Sequence, residues 1–226
     1  PDSVTTLAAR AFYNCTKLVE VGYPAGWTTV LDYYNSSTNY SDGNYRYTSP
    51  FEGCTALKTV TLYQGNNSVA LPESAFEGCT SLTTINLNSF TLNGGREFYG
   101  CASLESVNLS SATKVPQNAF YGCGDLTEIV APKVNNIAEF AFASSGLTSI
   151  LKEVFPVATQ IGEGAFQDCK DLTFVEFANV SAVGDAVFKG CTDLESVSLP
   201  EVTEITNSMF YNCSSLKEIS ADNAEK

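Results

Sequence analysis

One pattern recurs nine times along the chain and constrains the fold more than any other feature. The pattern is Ala-Phe-x-x-Cys-x-x-Leu, clearest at residues 75–82, 119–126 and 165–172. Its phenylalanines are separated by 39, 25, 22, 22, 22, 24, 22 and 22 residues, so the period is 22 residues with one large and two small insertions. A fixed period of this length is typical of a solenoid, in which each repeat forms one coil of a stack. The anchoring residues are Phe12, Phe51, Phe76, Phe98, Phe120, Phe142, Phe166, Phe188 and Phe210.

Each copy contains one segment typical of a strand and one typical of a turn. After the cysteine comes Leu-x-x-Val/Ile-x-apolar, as in Leu104, Val107 and Leu109. Its alternation and its β-branched residues predict a short strand. The Ala-Phe-x-x-Cys part predicts a helical or 3₁₀ turn. Apolar residues also tend to recur eight and five positions before the phenylalanine, as in Val134 and Ile137.

The complete pattern resembles the BspA-type leucine-rich repeat. Written out, it is Val-x-x-Ile-x-x-x-Ala-Phe-x-x-Cys-x-x-Leu-x-x-Ile-x-Leu-Pro, and it covers nearly the whole chain except residues 22–50. There are three local departures: Ser145 replaces the cysteine, Asn93 stands where an apolar residue is expected, and the copy before Phe51 lacks the usual Val and Ile. The resemblance implies a right-handed solenoid of about nine coils, with a short-stranded parallel sheet on one face. We expect a single domain over residues 1–226, with a Tyr-rich insertion at 22–50.

Composition argues against several classes of function. The net charge of -13 repels phosphate backbones and anionic lipids, so nucleic-acid and membrane-surface binding are not expected. No apolar run reaches the roughly 18 residues that insertion into a bilayer requires. The chain has no histidine, which removes the commonest general base and most zinc sites. We therefore expect no catalytic residues, no metal and no cofactor. Because the chain begins at Pro1, without Met or a signal segment, we expect a processed product or a fragment.

The eight cysteines all occupy the same position of the repeat, three residues after the phenylalanine. Equivalent residues of stacked coils lie about 4.8 Å apart with parallel side chains, so we expect a reduced ladder in which each thiol points into the core as a small apolar group. That spacing alone does not exclude disulfides, and occasional disulfides or metal and redox chemistry are the alternatives.

The insertion at residues 22–50 is the first candidate binding site. A long loop in a repeat protein is usually functional or disordered, and this one is too aromatic for disorder. Its Tyr, Ser, Gly and Asn content is typical of recognition loops. The alternative is that the aromatic residues pack the loop onto the solenoid or cap its first coils. The candidate residues are the chain's single tryptophan and five tyrosines: Trp27, Tyr33, Tyr34, Tyr40, Tyr45 and Tyr47.

The outward positions of the predicted strands are the second candidate site. Most carry Ser, Thr, Asn or Glu, which also suits a simply solvated sheet. Phe174 is the exception, because an exposed aromatic ring on a sheet is costly without a partner. We therefore select Phe174 and its neighbour Glu176 as candidate ligand-binding residues.

The resemblance implies a non-enzymatic adhesion or protein-interaction module on the surface of a bacterium or secreted from it. Its partner would then be a host or matrix protein. A carbohydrate-binding module that uses the aromatic insertion, and so binds a glycan, is the first alternative. A passive spacer is the second. We expect the chain to be a monomer.

Overall fold

The segments after each repeated cysteine form short strands, and equivalent strands of successive coils pair in parallel. The computed structural model describes residues 7–8, 10–24, 30–31, 50–63, 69–87, 90–92 and 94–221. Within them lie β1 (Leu7–Ala8), β2 (Glu20–Pro24), β3 (Val30–Leu31), β4 (Thr59–Tyr63), β5 (Val69–Leu71), β6 (Thr84–Asn86), β7 (Phe90–Leu92), β8 (Ser106–Asn108), β9 (Lys114–Val115), β10 (Glu128–Val130), β11 (Asn136–Ile137), β12 (Ser149–Ile150), β13 (Gln160–Ile161), β14 (Phe174–Glu176), β15 (Ala182–Val183), β16 (Ser196–Ser198) and β17 (Glu218–Ser220).

The strands that follow the cysteine position form what we call the front face. It comprises a five-stranded sheet in the order β2-β4-β6-β8-β10 and a four-stranded sheet in the order β12-β14-β16-β17. The register is that of the repeat, with Val107 opposite Ile129 and Val175 opposite Val197. These inward residues are buried or half-buried, and their neighbours along the strand point outward. The predicted solenoid is therefore confirmed.

A second face also carries parallel sheets, whereas the sequence predicted a sheet on one face. In the central copies the apolar residue five positions before the phenylalanine lies in a short strand, and β9, β11, β13 and β15 form a four-stranded sheet in which Val115 lies opposite Ile137. Two smaller sheets on this face pair β1 with β3 and β5 with β7. Although nine copies contribute a front strand, the solenoid has about seven turns, slightly fewer than predicted.

Two of the sequence departures are compensated by nearby residues. In the copy of Phe98, Leu92 lies opposite Leu71 in the second-face sheet and is buried, so it takes the place expected for residue 93. In the copy of Phe51, β3 pairs with β1 in the repeat register, with residue 30 opposite residue 7. The insertion therefore supplies the second-face strand that the sequence pattern lacked.

The Ala-Phe-x-x-Cys segment forms tight turns in place of the predicted helical or 3₁₀ turn. In the copy of Phe76, the amide of Cys79 donates to the Phe76 carbonyl at 3.1 Å, while the amides of Phe76 and Gly78 donate to the next coil at 2.8 Å. These amides therefore form hydrogen bonds between coils and not within a helical turn. Residues two positions before and after the phenylalanine have positive φ, as at Ser74 (57°) and Gly78 (71°), which a right-handed helical turn excludes.

The nine repeated phenylalanines form one stack along the core. Adjacent rings are nearly parallel, with centroids 5.1 to 5.8 Å apart from Phe12 to Phe210. The seven rings from Phe51 to Phe188 are fully buried, whereas those at the two ends are half-buried. Each ring therefore stabilises its neighbours as well as its own coil.

Among the residues that the structure describes, none forms a helix with the length and apolar character needed to cross a lipid bilayer.

Candidate functional site

Three outward positions near the middle of the front face are apolar, although most others are polar. Val130 at the end of β10 is 51 % exposed, and Leu151, directly after β12, is 47 % exposed. Phe174 in β14 is half-buried. Val130 and Leu151 line one depression between β10 and β12, and Phe174 lies opposite Ser149, which places it diagonally next to Leu151. The front face thus has one apolar cluster at its centre.

The coil of Phe142 departs from the regular repeat in two ways that explain this cluster. Ser145-Gly146-Leu147 is one residue shorter than Cys123-Gly124-Asp125-Leu126 in the preceding coil. After the strand, Ile150 and Ile161 lie 11 positions apart, whereas Ile129 and Ile137 lie 8 positions apart. The strand β12 is therefore preceded by a shortened turn and followed by three extra residues.

The shortened turn brings two backbones into close contact at Gly146. Its amide donates to the carbonyl of Cys123 at 3.2 Å, and a Cβ at this position would overlap the Gly124 carbonyl oxygen. Beyond this contact the coils separate on the front face, where the five-stranded sheet ends at β10 and the four-stranded sheet begins at β12. On the second face β11 still pairs with β13. The front face is thus interrupted while the stack continues.

A groove of about 310 Å³ lies at this interruption, between β10 and β12. Ile129, Val130, Leu151 and Val154 contribute apolar side chains to it. Its base includes Phe155, which is buried and contacts the rings of Phe142 and Phe177 at centroid distances of 6.0 and 5.9 Å. We call this feature the front groove.

Acidic residues lie in or next to the segments that form the front groove. Glu128 lines the groove and is exposed, and Glu153 is exposed in the turn between Leu151 and Val154. Glu176 is half-buried and forms a 3.4 Å ion pair with Lys152. These four groups together carry a net negative charge.

The strand register thus places Phe174 and Glu176, the two front-face residues selected from the sequence, next to Leu151. Val130 and Leu151 were not among the residues selected from the sequence. The available signal was their apolar character, together with the 24-residue spacing between Phe142 and Phe166. The other candidate residues, Trp27, Tyr33, Tyr34, Tyr40, Tyr45 and Tyr47, lie outside the described residues.

The six buried cysteines of the ladder offer no reactive site. All eight cysteines are free, and six are buried. The Cys101 thiol donates to the Phe76 carbonyl at 3.1 Å, and the same contact recurs in other coils. Burial raises the pKa of Cys101 well above its usual value and that of Cys169 to about 11, although a hydrogen bond with Ser145 lowers the latter. Such thiols are protonated at neutral pH and are poor nucleophiles.

Two members of the ladder differ from the expectation that every thiol is buried. Cys15, in the first coil, is exposed, and Cys213, in the last, is half-buried. Neither has neighbouring coils packed fully on both sides, as the central cysteines do.

Comparison with known proteins agrees with this architecture. The family model described as the BspA type leucine-rich repeat region matches the chain in 6 copies, over residues 1–68, 47–173 and 135–225. No functionally curated protein matches the chain.

Among solved structures, the chain is similar to a leucine-rich repeat protein of T. pallidum. The two are 30% identical with a TM-score of 0.52, over 70% of this chain and 71% of that one. It also resembles in fold a leucine-rich repeat protein of Bacteroides ovatus, at 21% identity and a TM-score of 0.51, over 96% of this chain and 64% of that one. With the family model matching almost its entire length, the chain belongs to the BspA-type leucine-rich repeat family.

Proposed function

We propose that the chain is a non-enzymatic protein-binding module that contacts its partner through the front groove. The observation that carries this proposal is the apolar cluster of Val130, Leu151 and Phe174 on an otherwise polar face. Apolar side chains exposed together on a sheet are typical of an interaction surface. The absence of histidine from the sequence and the raised pKa of the buried thiols also favour binding over catalysis.

A double substitution of the groove tests this proposal. Val130→Asp with Leu151→Asp places two charges in the front groove without altering a buried residue. Val157→Asp with Ile205→Asp is the matched control, because Val157 and Ile205 are 46 and 45 % exposed and do not line the groove. On an array of host and matrix proteins, we expect the wild type and the control to bind the same partner and the groove variant to lose it. A partner that binds all three proteins equally contradicts the proposal.

Carbohydrate binding through the insertion is a second candidate. It is favoured by one observation, the concentration of Trp27 and several tyrosines among Ser and Asn residues in one short segment. Aromatic rings can provide a flat apolar surface for a ligand. Binding on a glycan array that disappears in Trp27→Ala would support it, and binding that persists would exclude Trp27. A passive spacer is favoured if neither array shows binding.

We place the protein outside the cell or on the surface of a bacterium, on the basis of the family resemblance. Protease treatment of intact cells of the producing organism tests this location. The chain is degraded in intact cells if it is exposed at the surface, and is protected until lysis if it is not.

A further inference from the structure

The front groove is one end of a longer depression. A second depression of about 320 Å³ is lined by Thr84, Ser106 and Asn108, together with Glu128 and Val130. The front groove is also lined by Glu128 and Val130. The two depressions therefore adjoin at β10, where they share Glu128 and Val130, and together they extend over the strands from β6 to β12; we call them the trough. The outward side chains are polar at β6 and β8, where they stand beside Ile85 and Val107, whereas the exposed Val130 and Leu151 make the other end apolar.

The dimensions of the trough suit an extended segment of polypeptide. Paired strands lie about 4.8 Å apart, so the path from β6 to β10 spans roughly 10 Å and the unpaired step to β12 adds at least about 5 Å, which together correspond to at least about four or five extended residues. The apolar end has a volume of about 310 Å³. This lies at the small end of the range for ligand pockets and suits one large side chain better than a whole cofactor.

The charges beside the trough determine which segment fits. Glu128 lines the apolar end and is exposed, Glu153 is exposed in the turn between the lining residues Leu151 and Val154, and Lys152 is engaged by Glu176. The whole chain carries a net charge of -13. A partner with acidic groups would therefore be repelled, whereas Lys or Arg next to an apolar side chain would meet the two carboxylates.

We propose that the trough binds an extended segment of a partner protein in which one large apolar residue is flanked by Lys or Arg. The apolar side chain occupies the front groove between Val130 and Leu151, and the flanking cations contact Glu128 and Glu153. The main chain of the segment crosses β8 and β6, where Ser106, Asn108 and Thr84 provide hydrogen-bonding groups. This proposal rests on the proposed protein-binding function and adds the chemistry of the partner.

A library of random twelve-residue peptides displayed on phage tests the proposal. We expect selection on the wild-type chain to enrich peptides with one Leu, Ile, Phe or Met next to two or more Lys or Arg residues. One enriched peptide, made synthetically with a fluorescent label, is then titrated by anisotropy. Its affinity should fall at least about tenfold for Val130→Asp/Leu151→Asp and less than about twofold for the Val157→Asp/Ile205→Asp control.

A charge reversal provides the second arm. Glu128→Lys with Glu153→Lys should weaken binding of the same peptide at least about tenfold, and the loss should shrink as salt is raised. Glu163→Lys, an exposed carboxylate away from the trough, should have little effect. Enrichment of neutral or acidic peptides that still require Val130 and Leu151 would overturn the inference about charge and leave the proposed function intact. Failure to enrich any peptide, or binding insensitive to both double variants, would overturn the inference, while the protein array tests the function separately.

Discussion

The buried thiols link adjacent coils at the scale of single residues. Each central cysteine donates to a phenylalanine carbonyl of the preceding coil, as Cys123 does to Phe98 at 3.2 Å and Cys191 to Phe166 at 3.1 Å. A thiol is a weak donor, so the contact adds little energy beyond the packing of the side chain. Its main effect is to give the buried phenylalanine carbonyl a second donor, in addition to the cysteine amide of its own turn.

Thiol reactivity should follow the order of burial along the stack. In native protein we expect Cys15 to react first with an aromatic disulfide reagent, Cys213 slowly, and the six buried thiols only after denaturation. Titration of native and unfolded protein without reductant measures this order. Recovery of fewer than about two free thiols from the unfolded protein would show that the ladder is oxidised.

The raised thiol pKa values also predict a loss of stability at alkaline pH. An unfolded cysteine loses its proton near pH 8.5, whereas burial keeps the folded thiol protonated, with the pKa of Cys169 and Cys213 at about 11. The unfolded chain therefore binds fewer protons above pH 8.5, and stability falls as pH rises, by up to roughly 1 kcal/mol per pH unit for each buried thiol.

Urea unfolding in reductant at pH 7.5 and pH 10 measures this loss. The double variant Cys101→Ser/Cys123→Ser is the control, because it removes two of the titrating groups and should show a weaker pH dependence. Identical pH dependence in the two proteins would mean that other groups cause the effect.

Single residues also show how far the sequence predicts the turns. Gly or Asn two positions after the phenylalanine, as at Gly122 and Asn212, is a recognisable signal for positive φ. The position two before the phenylalanine gives no such signal, because it holds Arg96, Phe140 and Ala186, which rarely adopt this conformation. At this position the hydrogen bonds between coils outweigh the preference of the residue for negative φ. The sequence of a single repeat indicates only that preference and not the hydrogen bonds.

The main irregularity at the scale of elements is the missing pairing between β10 and β12. The Glu128 amide donates to Glu105 and the Val130 carbonyl accepts from Leu109, so these two residues pair towards β8. In a parallel strand the alternate residue faces the other way. The backbone amide and carbonyl of Ile129 therefore face the front groove.

Hydrogen exchange should detect this difference. We expect the Ile129 amide to exchange faster than the equivalent amides of Val107 and Val175, whose strands are paired on both sides. Exchange measured by NMR on the native protein makes the comparison at single residues. Equal protection of all three amides would mean that β10 and β12 pair in solution, and the groove would then be closed.

The sequence predicted the strands of the front face but not this interruption. The position of each strand is indicated by the Leu and Val/Ile of its own copy, so every strand can be predicted from one copy alone. The interruption arises from a change of one residue before β12 and three after it, and its effect depends on how the coil of Phe142 packs against the coil of Phe120. A shift between two coils is not visible in the residues of either alone.

At the scale of the whole molecule, stability should depend on position in the stack. Phe120 is fully buried between Phe98 and Phe142, with both rings at 5.3 Å, whereas Phe12 is half-buried and contacts Phe51. We expect Phe120→Ala to cost about 3 to 5 kcal/mol, because the cavity is felt by two neighbouring coils. Phe12→Ala should cost less.

Chemical denaturation of the two variants makes this comparison. The unfolding transition of Phe12→Ala should also keep most of the wild-type amplitude and a midpoint close to that of the wild type, because only the first coil frays. Equal losses at both positions would contradict a stack stabilised by nearest-neighbour contacts.

The insertion contributes both to the stack and, under the carbohydrate proposal, to binding, and these roles can be separated. Residues 30–31 form β3 and pair with β1, and the ring of Phe51 stacks on Phe12. None of these contacts involves residues 33–47. Replacing 33–47 with a Gly/Ser linker of equal length should therefore leave the melting temperature within about 3 °C of the wild type, since it retains both the pairing of β1 with β3 and the stacking of Phe51 on Phe12.

The matched control replaces residues 28–33 instead and so removes β3. We expect this control to lower the melting temperature more, because the second-face pairing of the first two coils is lost along with the strand. Binding measurements on the 33–47 variant then identify the site. The variant should lose a glycan ligand if the ligand depends on Tyr33, Tyr34, Tyr40, Tyr45 and Tyr47. It should keep a protein partner that is held by Val130 and Leu151. Loss of the protein partner from a 33–47 variant with an unchanged circular-dichroism spectrum would move the protein-binding site from the front groove to the insertion.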